Sequence, residues 1–297
     1  MKNILRIRIV YSIFYSLYLF YLLYGYLREK YILLPIYTEF INTETIEEVE
    51  REYLSNDMGV TIFHAQTGAH FEDCLFVFNG AYGNSNLKYI LMRQLQQTFD
   101  RFTIIQMEYP GYGFCPQFQV SISEILEIIS ETYYLLLSKY SSMKTIGFFG
   151  EQFGSYVQAH VSNYARTRNI RQPDFVIELN GISSLFDFAV KEYNVLLIPF
   201  QMPLLHWHKK EYRHLAKNTP IFVMVTDDNP HILDSIIFFH KTHEMYKNVK
   251  LIPLEGRKTF GFLLHENQNR IDEVYRMIQD HCKSSSNSIR MVSNSPP

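Results

Sequence analysis

The feature that most constrains this chain is the stretch Lys144-Thr145-Ile146-Gly147-Phe148-Phe149-Gly150-Glu151-Gln152-Phe153-Gly154-Ser155. An apolar run of this length reads as a buried strand, and the glycines at 150 and 154 bracket a turn too sharp for side chains on either flank. The residue between them is Gln152. Its carboxamide cannot be deprotonated near neutral pH and has no oxygen able to attack as an alkoxide does. Whatever the turn presents, it does not present an ordinary nucleophile.

Elsewhere the sequence sets broad bounds. A chain of 297 residues, 47% hydrophobic and with 13 glycines, is long enough for one sizeable core. Its formal net charge of -2 supplies no basic field, so no nucleic-acid partner is expected. Cys74, Cys115 and Cys282 allow at most one internal disulfide and show no metal-finger spacing. The pairs His206/His208 and His240/His243 have spacings that metals use, but neither has an evident third ligand. No metal and no cofactor is expected.

Residues 9–27 carry no charge and lie between Lys2, Arg6 and Arg8 on one side and Arg28, Glu29 and Lys30 on the other. About 20 apolar residues span the ~30 Å hydrocarbon layer as a helix, so 1–30 is expected to be a single-pass membrane anchor. A cleaved signal peptide is the alternative, against which stand the length of the apolar run and the lack of a small-residue cleavage site. The balance of basic residues places the N-terminus on the cytosolic side.

A connector is expected over 31–57, containing Pro35 and the acidic stretch from Glu44 to Glu52. Strands then alternate with helices. Strand signals fall at Val60–His64, Cys74–Phe78, Phe102–Met107, in the apolar run that starts at Lys144, and at Phe175–Leu179, Ile221–Val225 and from Lys250. Helical periodicity covers Leu87–Phe99, Ser121–Leu137, a segment from Ser155, and Asn269–His281. The expectation is an α/β domain over 58–282, a mostly parallel sheet flanked by helices. Residues 195–217, with Pro199, Pro203 and Trp207, sit where a cap over a pocket would be inserted, and the serine-rich 283–297 is expected to be disordered.

Several segments in order now carry a resemblance. Gly150-Glu151-Gln152-Phe153-Gly154 is similar to the Gly-x-Ser-x-Gly nucleophile elbow of the α/β-hydrolase fold family, with Gln152 at the serine. Phe78-Asn79-Gly80-Ala81-Tyr82-Gly83-Asn84 resembles the His-Gly-Asn-x-Gly-Asn segment of membrane-anchored α/β-hydrolase-domain proteins, with Asn79 at the histidine. Glu108-Tyr109-Pro110-Gly111-Tyr112-Gly113-Phe114-Cys115 is similar to their Asp-Tyr-x-Gly-Tyr-Gly-x-Ser turn. Glu178-Leu179-Asn180-Gly181-Ile182-Ser183 is similar to their Glu-Asn-x-Phe-x-Ser stretch.

The resemblance implies an α/β-hydrolase-like fold and a triad in the order nucleophile, acid, histidine. Gln152 is then a degenerate nucleophile position. The acid follows the strand ending at Thr226, where Asp227, Asp228 and Asn229 compete and Asp228 is preferred. The histidine is expected soon after Gly256, and His265 is the nearest one. Oxyanion donors would be the backbone N–H groups of Phe153 and of Gly80 or Ala81. Ser155 falls on the helix rather than at the turn. Cys115 is a nucleophile candidate only with a partner that lowers its pKa. The expected function is ligand or partner binding without catalysis, the ligand being acyl or lipid-like. An ester, thioester or lipid hydrolase using an unconventional nucleophile is the alternative.

Overall fold

The computed structural model describes residues 10–21, 23, 49–80, 88–112, 115, 122–185, 215, 218–226, 235–236, 239, 242–243, 248–255 and 267–293, with side chains up to 283. Eight strands form one sheet: β1 Val49–Tyr53, β2 Gly59–Phe63, β3 Asp73–Phe78, β4 Phe102–Met107, β5 Thr145–Glu151, β6 Phe175–Leu179, β7 Ile221–Thr226 and β8 Val249–Leu254. Their order across the sheet is β1-β2-β4-β3-β5-β6-β7-β8. The strands β3 to β8 run parallel, while β2 is antiparallel to both β1 and β4.

The helices are α1 over residues 10–21, α2 Tyr89–Thr98, α3 Ile122–Lys139, α4 Phe153–Thr167 and α5 Gln268–Ser293. Both faces of the sheet are covered, which is why β2, β4, β6 and β7 are buried along their whole length and read as unbroken apolar runs. On one face Phe76, Phe148 and Val176 pack under Ile125, Ile129 and Tyr133 of α3 and Val157 and Val161 of α4. On the other, Leu75, Phe149 and Ile177 pack with Leu91 and Leu95 of α2 and Ile271, Val274 and Ile278 of α5. The rings of Phe76, Phe148 and Tyr133 meet edge to face at centroid separations of 5.0 to 6.0 Å.

Two expectations are altered. The acidic stretch does not lead straight to the first strand of the domain, because β1 pairs with β2 from Val49↔Phe63 to Tyr53↔Gly59. Its alternating Val49, Arg51 and Tyr53 against Glu50 and Glu52 suit an edge strand, whose charges discourage further pairing. At the other end, α5 continues past His281 to Ser293 and takes in most of the serine-rich segment expected to lack structure. No Gly or Pro interrupts 267–293, so nothing in the backbone stops the helix. Among the described residues no helix is long and apolar enough to cross a membrane, and 1–9, 22 and 24–30 of the expected anchor lie outside them. The described part of the charge-free run is α1, whose Val10, Tyr11, Ile13, Phe14, Tyr15, Leu17, Tyr18 and Phe20 are all exposed. The cap segment 195–217 lies outside the described residues apart from Leu215, which is buried.

Candidate functional site at the elbow

Gln152 links the end of β5 to the start of α4 with φ 45° and ψ -109°. A side-chain-bearing residue rarely adopts that conformation, and holding it costs about 1–3 kcal/mol. Three backbone interactions hold it: the Gln152 N–H donates to the Leu179 carbonyl at 2.9 Å, and its own carbonyl accepts from the Ser155 N–H at 3.0 Å and the Ser155 hydroxyl at 2.7 Å. The flanking glycines are steric requirements. A Cβ on Gly154 would stand 1.9 Å from the Phe78 carbonyl oxygen, and one on Gly150 would stand 2.7 Å from the Ser155 backbone nitrogen. The expected turn is therefore present, with Gln152 at its crest and half-buried.

Around the crest lie the carboxyl ends of the parallel strands, the edge where open α/β sheets place their ligands. After β3 comes Asn79-Gly80, fastened from several directions. The Tyr109 hydroxyl donates to the Asn79 carbonyl at 2.6 Å, and the Gln106 amide donates to the Asn79 side-chain oxygen at 2.8 Å. Burial raises the Tyr109 phenol well above its ordinary pKa, so it remains a donor. The Gly80 N–H points to Glu151 Oε2 at 3.4 Å, and the Gln152 carboxamide oxygen lies 3.2 Å from where a Gly80 Cβ would stand. Glu151 also takes the Lys88 ammonium on both oxygens, at 2.7 and 2.8 Å, with both side chains buried.

Of the expected oxyanion donors, Gly80 and Phe153 stand next to the crest, whereas Ala81 lies outside the described residues. The Gly80 N–H is engaged by Glu151 rather than open toward Gln152. Asp227, Asp228, Asn229 and His265 also lie outside the described residues. The points from which their segments leave are built in detail. Asn180, at φ 52°, accepts the Thr226 N–H at 3.0 Å and the Thr226 hydroxyl at 3.2 Å, fixing the end of β7. Asn267 accepts the Glu255 N–H at 2.8 Å and donates to the Glu255 carbonyl at 2.6 Å, closing the two ends of 256–266 on one another.

The other nucleophile candidates are spent or shielded. The buried Ser155 hydroxyl donates to the Gln152 carbonyl and accepts the Ile182 N–H at 3.2 Å. The Cys115 sulfur accepts the Gly59 N–H at 3.1 Å, and burial pushes its thiol up to about 12 despite that bond. At neutral pH it is not a thiolate. Among the described residues no group of three or more His, Cys, Asp and Glu could hold a metal.

Sequence reasoning missed Lys88, Glu151, Gln106, Asn180 and Asn267 as builders of this edge. One signal was available: Glu151 ends an otherwise apolar strand, and a carboxylate in such surroundings must find a cation or hydrogen-bond donors, or take up a proton. Nothing in the spacing identifies Lys88, 63 residues earlier, as that cation.

No protein-family profile and no curated protein sequence matches the chain. Solved structures do. An α/β hydrolase from Vibrio vulnificus aligns with TM-score 0.62 at 13% identity, over 76% of this chain and 80% of that one. An esterase of the bacterial hormone-sensitive lipase family aligns at 0.60 and 13% identity, over 80% and 86%. Carboxyl esterase 2 of the mycorrhizal fungus Tuber melanosporum aligns at 0.58 and 13% identity, over 80% and 89%. At such identities the likeness is one of fold: the chain has the α/β-hydrolase fold.

Proposed function

We propose that this protein binds a ligand or protein partner at the elbow edge without hydrolysing it, and that residues 1–30 tether it to a membrane with the N-terminus cytosolic. The observation that carries the first part is Gln152 at φ 45° on the crest, where a hydrolase of this fold holds its nucleophile. A carboxamide there forms no acyl-enzyme. Removing such a nucleophile elsewhere lowers turnover about a millionfold, leaving only the roughly 10³ to 10⁴ supplied by oxyanion donors and binding. A ligand that fits has an acyl or lipid-like apolar part and a polar group that exchanges hydrogen bonds with the carboxamide, which both donates and accepts. Asp228 and His265 are the residues assigned beside Gln152 at this edge, with the Phe153 N–H and that of Gly80 or Ala81 as polar contacts.

Two features support the tether. The run 9–27 has no charge, and α1 exposes large apolar side chains on every side.

Active ester hydrolysis is the second reading, and the esterases among the structural neighbours favour it. The test is turnover by the purified protein on short-chain nitrophenyl esters, thioesters and lysolipids, together with labelling by a fluorophosphonate probe. The expected result is neither turnover above background nor stoichiometric labelling. Gln152→Ser is the companion variant: if Asp228 and His265 are aligned it gains measurable esterase activity. Robust hydrolysis by the unsubstituted protein would establish the second reading instead.

A further inference from the structure

The residue beside Gln152 has a task of its own. Glu151 ends β5, and its carboxylate receives two groups that lie eight positions apart in the chain: the Gly80 N–H, where the β3 backbone leaves the sheet, and the Lys88 ammonium, where α2 begins. These are the two ends of the 81–87 connection. We propose that Glu151 is the positioning residue of the elbow edge, fastening both ends of that connection to the strand that carries Gln152, and so fixing where the Gly80 amide stands.

The geometry leaves the carboxylate little choice. Lys88 meets it with both oxygens at 2.7 and 2.8 Å, and the side chains are 4% and 2% exposed, so neither charge has water to turn to. With Oε2 held by Lys88, the same oxygen sits 3.4 Å from the Gly80 nitrogen. The Gln152 carboxamide closes the other side, its oxygen 3.2 Å from the place of a Gly80 Cβ. The rest of the Asn79-Gly80 base is pinned by neutral groups, Tyr109 and Gln106, and these reach only Asn79. Glu151 alone among these reaches Gly80 and Lys88 together, a role that holds whether or not the protein hydrolyses anything.

The experiment is hydrogen exchange of the full-length protein, resolved to single amides. Glu151→Asp keeps the charge and shortens the reach. Exchange at Gly80 and at Met92, whose N–H closes the first turn of α2 on the Lys88 carbonyl, should accelerate by about tenfold or more, the mark of an easier local opening, while β6 and β7 keep their protection. A Lys88→Met/Glu151→Met double variant removes the charges with little change in volume. It should keep a melting temperature near that of the parent and still show the fast exchange. Unchanged exchange at Gly80 in Glu151→Asp overturns the proposal, whatever the double variant does. A parent-like melting temperature with parent-like exchange in the double variant overturns it too, leaving the pair as packing only. If the double variant does not fold, the Glu151→Asp result decides.

Discussion

Gly154 and Phe78 are in backbone contact where the start of α4 packs on the end of β3: a Cβ on the glycine would lie 1.9 Å from the phenylalanine carbonyl oxygen and 2.5 Å from its carbon. No rotamer relieves such a clash, because the obstacle is main chain. Gly154→Ala should therefore destabilise the domain by about 3 kcal/mol or more, and Gly154→Val further. Gly68 is the control, with φ 88° but nothing within 4 Å of its added Cβ. Gly68→Ala should cost only about 1 kcal/mol of backbone strain. Urea denaturation of the three variants measures both effects, and equal losses would remove the close approach as the cause.

Gln152 itself should respond in the opposite sense. Glycine adopts φ 45° and ψ -109° readily, so Gln152→Gly should stabilise the fold by roughly 1 kcal/mol, the relieved strain exceeding the entropy lost by the more flexible residue. Differential scanning calorimetry would show a higher melting temperature. A lower one would mean that contacts of the Gln152 side chain outweigh its strain.

Buried thiols make the protein sensitive to alkali. Cys74 and Cys115 are raised by burial from 9.0 to about 12. The unfolded chain loses these protons first, so the stability present below about pH 9 falls as the pH climbs toward 12. Each thiol contributes a slope of up to about 1.4 kcal/mol per pH unit in that window. Denaturation midpoints on either side of about pH 9 test this, and Cys115→Ala should flatten the slope. For the same reason Cys115 should resist iodoacetamide at neutral pH while the protein is folded.

Removing the Asn267 side chain should leave the Glu255 N–H and carbonyl without their partner. Asn267→Ala is expected to cost about 2 kcal/mol and to expose 256–266 to proteases, as read by limited proteolysis and mass spectrometry. Cleavage confined to other parts of the chain would show that this clasp does not control that segment.

The tether makes a separable claim. Full-length protein should stay with membranes through alkaline carbonate washing, and a chain beginning near Thr38 should be released. Loss of the full-length protein in the wash would remove the anchor.

Much of the scaffold was legible because burial on both faces writes strands as continuous apolar runs. Phe102–Met107 and Phe175–Leu179 fall where the runs placed them. The strand β1 was harder to see: its three central residues Glu50, Arg51 and Glu52 are all charged, so this edge strand looks like a linker. The end of α5 was obscured by serines, which are poor but permissible helix residues. At the elbow, spacing of glycines revealed the turn because sterics leave no other residue there. The clasps made by Asn180, Asn267 and the Lys88–Glu151 pair join residues far apart in the chain, and a polar side chain's partner is not encoded in local pattern.

The pairing of β1 also fixes where the described domain begins relative to the elbow. Val49 stands opposite Phe63, which in turn lies beside Ile104, so the chain joins the sheet at the amino ends of the parallel strands. Gln152 follows the carboxyl end of β5, four strands across and on the opposite margin. At ~4.8 Å per strand spacing and ~3.3 Å per residue, Val49 and the elbow are separated by about 19 Å sideways and nearly a strand length lengthwise. An amide at Gln152 and one at Val49 therefore report on separate corners of the sheet, and a probe attached at one leaves the other untouched.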